Sequence, residues 1–310
     1  MSDHNVYLQF DTTSFPGDAS IAGDLHPGAL IAAGGSLTIN GQVSGATILA
    51  LGNIHIEGGA MHSRVMAGTA GKIRTELRRL ARPIEAVLNR LLVLCHNNLR
   101  GGADGLARQL HQPQQIAACL DRVFARAPGL RTNVDALLTL ARPVENFLPA
   151  RLLDIVIGLT ALRNSAVNQP HHLISLGRKL RQLAADGQRP EHSEAVLALA
   201  HGHGCDLASG GSIQVQKSLY SCTANAFTYL QIGHRKVGGH ALAADMAIES
   251  AGSRGETLTT LELRPGGTAR IGLAYPGVII TGRNRRVRLT QVQEPLHVRA
   301  RRHDPATGIA

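Results

Sequence analysis

Pro27-Gly28-Ala29-Leu30-Ile31-Ala32-Ala33 returns as Ser44-Gly45-Ala46-Thr47-Ile48-Leu49-Ala50, and Ser63-x-Val65-x-Ala67 is a weaker third copy. Each step is 17 residues. A second set interleaves with the first: Ile21-x-Gly23, Ile39-x-Gly41, Ile56-x-Gly58, then Ile73, at steps of 18, 17 and 17. Two short alternating apolar runs per period, separated by glycine, describe one coil of a parallel β-solenoid. Coils stacked at the usual strand spacing of about 4.8 Å place like residues over like. A column of Ile/Val and a column of Ala would then fill a narrow interior. No coil can bury its inner face alone, so stability requires the stack.

At Lys72 the period changes. Ile73, Leu77, Leu80, Ile84, Leu88, Leu91 and Leu92 fall at three- and four-residue steps, the stripe of an amphipathic helix. Helical patterning runs to about Ala200, broken at Gly101-Gly102, Pro113, Pro128-Gly129, Pro170 and Pro190, which predicts four to six helices. Leu80-Ala81-Arg82-Pro83-Ile84-Glu85 echoes Leu140-Ala141-Arg142-Pro143-Val144-Glu145, 60 residues on. Both prolines are expected near a first helical turn, where the missing N–H costs little.

From Asp206 the clock restarts. Ile213 and Val215 precede Leu230 and Ile232 by 17, Leu261 and Leu263 precede Val278 and Ile280 by 17, and Met246 precedes Leu263 by 17. The expected fold is mainly β with an α insert, one solenoid interrupted and resumed. Its segments are 1–72 and 205–295 for the solenoid, 73–204 for the insert and 296–310 for a patternless basic tail. Val6, Leu8 and Phe10 alternate as a capping strand.

Composition agrees: Gly is abundant at 34, aromatics make up 3% and Trp is absent, which suits a thin interior. The net charge of +10 is uneven, −3 over residues 1–72, +7 over 73–200 and +6 over 201–310. The four cysteines, Cys95, Cys119, Cys205 and Cys222, form no C-x-x-C pair, so a reduced cytoplasmic setting is expected. No signal peptide and no stretch of about 18 apolar residues is visible.

Three clusters were weighed for chemistry. His201, His203 and Cys205 alternate, so on an extended strand they would share a face and could hold zinc; a flexible loop into the resumed solenoid is the simpler expectation, and no metal or cofactor is assigned. Cys205 and Cys222 lie one coil apart, within reach of a disulfide, with two small buried side chains in a column expected in a reducing cytosol. Arg283, Arg285, Arg286 and Arg288 form a basic strip that could meet nucleic acid or an anionic membrane, although no aromatic residue lies beside it for base stacking. A charged edge strand that blocks further pairing explains the strip equally well. Candidate bases His26, His55, His62, His234 and His240 show no paired carboxylate in sequence, so no catalytic residue is assigned.

In order, Lys236-Val237-Gly238-Gly239-His240, Gly252-Ser253-Arg254-Gly255-Glu256-Thr257 and Tyr275-Pro276-Gly277-Val278 resemble the bacterial flagellar assembly protein A (FapA) family of β-solenoid proteins. The resemblance covers roughly residues 19–72 and 205–290. It implies a right-handed parallel β-helix, structural roles for Gly238, Gly239, Gly252, Gly255, Tyr275, Pro276 and Gly277, and a non-enzymatic scaffold working through protein contacts. The family's best-known members carry a large N-terminal domain that has no counterpart here, and place their helices later. Gly52-Asn53-Ile54-His55-Ile56 also resembles the C-terminal β-helix of the cell-division inhibitor MinC, without its Arg-Ser-Gly-rich partner-binding stretch. Three alternatives stay open: a bactofilin-like polymer, a MinC-like factor, and an enzyme with a site between insert and solenoid.

Overall fold

A computed structural model describes residues 3–4, 12–100, 125, 128–164, 170–185, 194–255, 257–282 and 285–300. The proposed capping run Val6–Phe10 lies outside them. Two compact units emerge, Met1–Gly71 with His192–Ala310, and Lys72–Glu191.

The first unit is the solenoid. Its strands before the insert are β1 (Asp3–His4), β2 (Thr12–Phe15), β3 (Ala19–Ile21), β4 (Leu30–Ala33), β5 (Leu37–Ile39), β6 (Val43–Ser44), β7 (Thr47–Ala50), β8 (Ile54–Met61) and β9 (Arg64–Ala67). After it come β10 (Val196–His203), β11 (Asp206–Ser209), β12 (Ser212–Val215), β13 (Ser218–Ala226), β14 (Tyr229–Ala251), β15 (Thr259–Ala274), β16 (Val278–Gly282), β17 (Arg285–Arg288) and β18 (Leu296–Arg299). Pairing is parallel from β1 to β16. Ile31, Ile48, Val65, Leu207, Ala224 and Ala241 stand over one another in register, all fully buried. At about 1.5–3 kcal/mol for each large apolar side chain, such columns supply most of the cohesion.

The register records where the chain leaves and returns. Ile54 pairs with Leu197, Met61 with His203 and Arg64 with Asp206, so β10 and β11 form the coil directly above β8 and β9. The seam is closed by hydrogen bonds: Gly210 N donates to Ala67 O at 3.0 Å, Ser212 N to Ala195 O at 3.1 Å, and Val196 N to Asn53 Oδ1 at 2.8 Å. The chain thus leaves the solenoid after Ala67 and rejoins it at Val196, at the position where Leu51-Gly52-Asn53 turns the coil below. Residues 196–203 are strand, not the end of the insert; Leu197, Ala198 and Leu199 are good helix formers, yet Leu197 and Leu199 alternate into the core.

The step is 17 at Leu30↔Thr47, 16 at Leu197↔Ile213 and 17 again at Ile213↔Leu230, and then lengthens. Leu261 pairs with Ile280, not Val278, and Met246 with Ala269, not Leu263. The step is already 20 at Gly239↔Thr259, and a register shift between Ala243 and Asp245, opposite the Arg264-Pro265-Gly266-Gly267 corner, raises it to 23 at Asp245↔Thr268. Two antiparallel strands finish the stack. β17 pairs with β16 and β18 with β15, so Leu296–Arg299 is an ordered strand and not tail. Leu296 and Val298 pack on the core while His297 and Arg299 face out.

In the second unit the described helices are α1 (Thr69–Arg100), α2 (Pro128–Ala141), α3 (Ala150–Arg163) and α4 (Pro170–Ala185), with a 3₁₀ turn at Arg142–Phe147. Ile73, Leu77, Leu80, Ile84, Leu88 and Leu91 form the buried stripe of α1. Pro83 sits inside α1, not at a first turn, whereas Pro143 opens the 3₁₀ turn. An interior proline costs about 3 kcal/mol. Burial of Leu80, Ile84 and Leu88 on either side, each worth about 1.5–3 kcal/mol, outweighs it. Arg78 Nε donates to Leu183 O at 3.2 Å, tying α4 to α1.

Candidate functional site

One corner of the solenoid repeats an unusual backbone. Gly28, Gly45, His62, Gly204, Ser221 and Gly238 each hold φ between 49° and 91°, one per coil. The left-handed conformation reverses the chain in a single residue, and side chains there cost about 1–2 kcal/mol. His62 and Ser221 accept that cost; the His62 ring lies edge-on to His203, centroids 5.2 Å apart. Gly204 cannot be replaced so easily, since a Cβ would stand 2.5 Å from His62 Nδ1.

The residue after the left-handed corner is small and buried in five successive coils: Ala29, Ala46, Ser63, Cys205 and Cys222; in the next coil Gly239 takes the same register but is exposed. Their polar atoms bond back to the chain two residues earlier. Ser63 Oγ donates to Met61 O at 2.7 Å, and Cys205 Sγ and Cys222 Sγ lie 3.3 Å from His203 O and 3.2 Å from Tyr220 O. The Cys205 amide donates to Cys222 Sγ at 3.4 Å, so the sulfurs belong to adjoining coils of one column. Both cysteines are free and buried.

On the next coil Lys236, in register with the buried Leu219, turns inward beside Cys222. It is fully buried, and its Nζ donates to Cys222 O at 3.0 Å and to Gly238 O. Burial pushes the Lys236 ammonium down to about 8. The Cys205 thiol, donating to Cys222, brings Cys222 down to about 7, helped by the Lys236 charge, and that same proton-sharing pushes Cys205 up. Of the two thiols Cys205 holds its proton the more firmly, and Cys222, next to the buried Lys236 amine, loses its proton the more readily. The interior of this solenoid therefore carries an ionisable pair beside a dithiol.

The glycine and tyrosine motifs surround this group. Gly238 N donates to Thr259 Oγ1 at 2.8 Å, and Gly252 N to Lys236 O at 2.8 Å. Gly252 has φ 83°, and a Cβ on it would lie 2.8 Å from Val278 Cγ2 and 3.2 Å from Tyr275 Cβ. Tyr275 N donates to Ala251 O at 2.9 Å, and Gly277, with φ 86°, turns the chain into β16 after Pro276. Gly255 is exposed, and Glu256 lies outside the described residues.

Comparison with family models then identifies part of the chain. Residues 12–85 match the Flagellar Assembly Protein A beta solenoid domain (FapA). The match covers the first solenoid block and the start of α1. No curated protein and no solved structure matches the chain. The FapA-type block thus supplies the lower coils, and the dithiol sits in the coils stacked directly on it.

The remaining candidates are placed apart from one another. His203 is exposed and Cys205 is in the core, because the left-handed turn at Gly204 separates them; the three potential ligands do not converge. Arg285, Arg286 and Arg288 are exposed along β17, and Arg283 lies outside the described residues. His240 does have a carboxylate partner: its Nε2 is 3.0 Å from Glu262 Oε2 on the outer surface. Sequence reading missed Glu262 because it lies 22 residues away, in a lengthened coil. Lys236 falls one 17-residue step after the buried Leu219, and that spacing is the sequence signal for its inward position. Among the described residues no helix is long and apolar enough to cross a membrane.

Proposed function

We propose that this protein is a non-enzymatic assembly factor of the FapA type, working by presenting fixed surfaces to protein partners in a bacterial cytoplasm, in flagellar assembly or a related organisation of the cell pole or envelope. The observation that carries this reading is the match of residues 12–85 to the Flagellar Assembly Protein A beta solenoid domain. The solenoid offers ladders of outward side chains at fixed spacing, and Arg285, Arg286 and Arg288 give its last strand a cationic edge. The helical unit adds a groove of about 320 Å³ between α3 and α4, lined by Ile157, Ala161, Leu173 and Leu176; Ile157 is 51% exposed, and Ile174, outside the groove on α4, is 44% exposed. An apolar groove of this kind offers a protein partner a surface to cover.

Light scattering after size exclusion, across salt and concentration, tests the reading together with flagellar counts in a deletion strain. A discrete monomer or dimer, with flagellation lost on deletion and restored by the wild type but not by Ile157→Glu/Ile174→Glu, is the expected outcome. Large concentration-dependent assemblies would favour a bactofilin-like polymer. Unchanged flagella would remove the flagellar role.

A further inference from the structure

We infer that Cys205 and Cys222 are an oxidisable dithiol that closes a disulfide between two successive coils, with Lys236 holding the attacking thiolate. The geometry is that of a staple already aligned. Asp206 pairs with Thr223 and Cys222 with Gly239, so Cys205 and Cys222 occupy the same station of adjoining coils. Strand neighbours about 4.8 Å apart lie inside the Cα range of about 4.4–6.8 Å that a disulfide spans. Both side chains point into the interior, and Cys222 Sγ already lies 3.4 Å from the Cys205 amide nitrogen.

The surroundings distinguish this pair from two cysteines that merely fill space. An apolar filler needs no charge beside it, yet the lysine amine of the next coil is buried here, bonded to the carbonyl oxygen of Cys222 itself. An ammonium in a dry interior requires an anion, and the Cys222 thiolate is the anion at hand. On the neighbouring strand a Cβ on Gly202 would stand 2.8 Å from Leu219 Cδ2 and 3.3 Å from Cys222 Sγ, so a glycine there leaves that sulfur the room a side chain would take.

With hydrogen peroxide as the oxidant the chemistry balances. The Cys222 thiolate attacks one peroxide oxygen, the O–O bond breaks and hydroxide leaves, giving a sulfenic acid. The Cys205 thiol then attacks that sulfur, the S–O bond breaks, and hydroxide leaves with the Cys205 proton as water. Overall two thiols and one peroxide give one disulfide and two waters. The bond joins residues 17 apart in sequence and so fixes one coil to the next.

The test uses the full chain with Cys95→Ser and Cys119→Ser, leaving only this pair. Folded protein is treated with hydrogen peroxide, then unfolded, alkylated and weighed. The expected product has lost the mass of two hydrogens, takes up no alkylating agent, and regains both thiols with dithiothreitol; it also unfolds at higher temperature than the reduced form. In Cys205→Ser, dimedone should label Cys222, whereas Cys222→Ser should leave Cys205 unlabelled. Lys236→Met, provided its circular dichroism is unchanged, should slow oxidation at least severalfold. Two thiols that remain alkylatable after treatment, or that oxidise only once the chain is unfolded, would overturn the dithiol. An unchanged rate in Lys236→Met would overturn the role of the lysine.

Discussion

Lys236 Nζ lies 3.0 Å from the carbonyl oxygen of Cys222, the same oxygen that a Cβ on Gly239 would crowd. Lysine and glycine therefore both bear on one backbone group, and they answer differently to substitution. A Cβ on Gly239 would stand 2.3 Å from Cys222 O, and Gly239 already has φ 70°. Gly239→Ala should destabilise by more than about 2 kcal/mol. Lys236→Ala, which empties the site, should cost about 2–4 kcal/mol. Lys236→Met keeps the stem and removes a desolvated charge, and should cost less than about 1 kcal/mol at neutral pH. Urea unfolding of the three variants gives the order, and a Met variant as unstable as the Ala variant refutes the packing argument.

The same group sets a pH dependence. Lys236 is brought down to about 8 in the folded chain and Cys222 to about 7, each below its ordinary value. For both, the unfolded chain binds more protons across the interval, so stability rises with pH there. The contribution of Cys222 is complete above about 9 and is lost as pH falls through about 7. That of Lys236 is complete above about 10.5 and is lost as pH falls through about 8. Cys205, pushed up, opposes them from about 9 upward. Reduced protein should therefore gain on the order of 1–2 kcal/mol between pH 7 and 9. Lys236→Met/Cys222→Ser should flatten that rise in denaturant titrations.

Ser221 and His62 sit at left-handed stations that glycine fills in the neighbouring coils, both with φ 49°. Ser221→Gly should therefore stabilise by up to about 1 kcal/mol, the relief of the left-handed penalty less the added freedom of the unfolded chain. Ser221→Val should destabilise by about 1–2 kcal/mol, because a β-branched side chain fits that conformation worst. Thermal unfolding of the pair settles the sign; stabilisation by valine would mean the corner is not strained.

How much of this could be read beforehand follows from which contacts repeat. Ile31, Ile48 and Val65 announce the coil because every one meets the same neighbours, so equal spacing in sequence is equal spacing in space. The step fails once corners differ in length: a 17-residue step pairs Leu261 with Val278, but the longer path through the Arg264–Gly267 corner moves its partner to Ile280. The zinc reading of His201, His203 and Cys205 assumed a straight strand, and a single left-handed glycine turned the thiol inward. The Leu296–Arg299 strand has no repeat because it is antiparallel and pairs only once. Lys236 stayed hidden for a different reason. A lysine in sequence looks like surface, and only the backbone oxygens of Cys222 and Gly238, brought to its amine by the stacking of coils, give it partners inside.

The seam between Ala67 and Leu197 yields the most direct test of the architecture. Below it, Ala50 and Ile54 are joined by Leu51-Gly52-Asn53, and Ile54 pairs with Leu197 across the seam. Removing residues 69–194 would join Gly68 to Ala195, leave three residues between Ala67 and Leu197, and restore a step of 17 from Ile54. Every hydrogen bond named at the seam lies within the retained residues, including Gly210 N to Ala67 O and Val196 N to Asn53 Oδ1. The shortened chain should be soluble, lose its helical circular dichroism, keep its strand signal and unfold in one cooperative transition. Taking out one residue more should do harm, because a slip of one position turns inward side chains outward along the whole coil. Equal stability of the two deletions would show that the coils are not locked in register, and that the helical unit is needed to hold them.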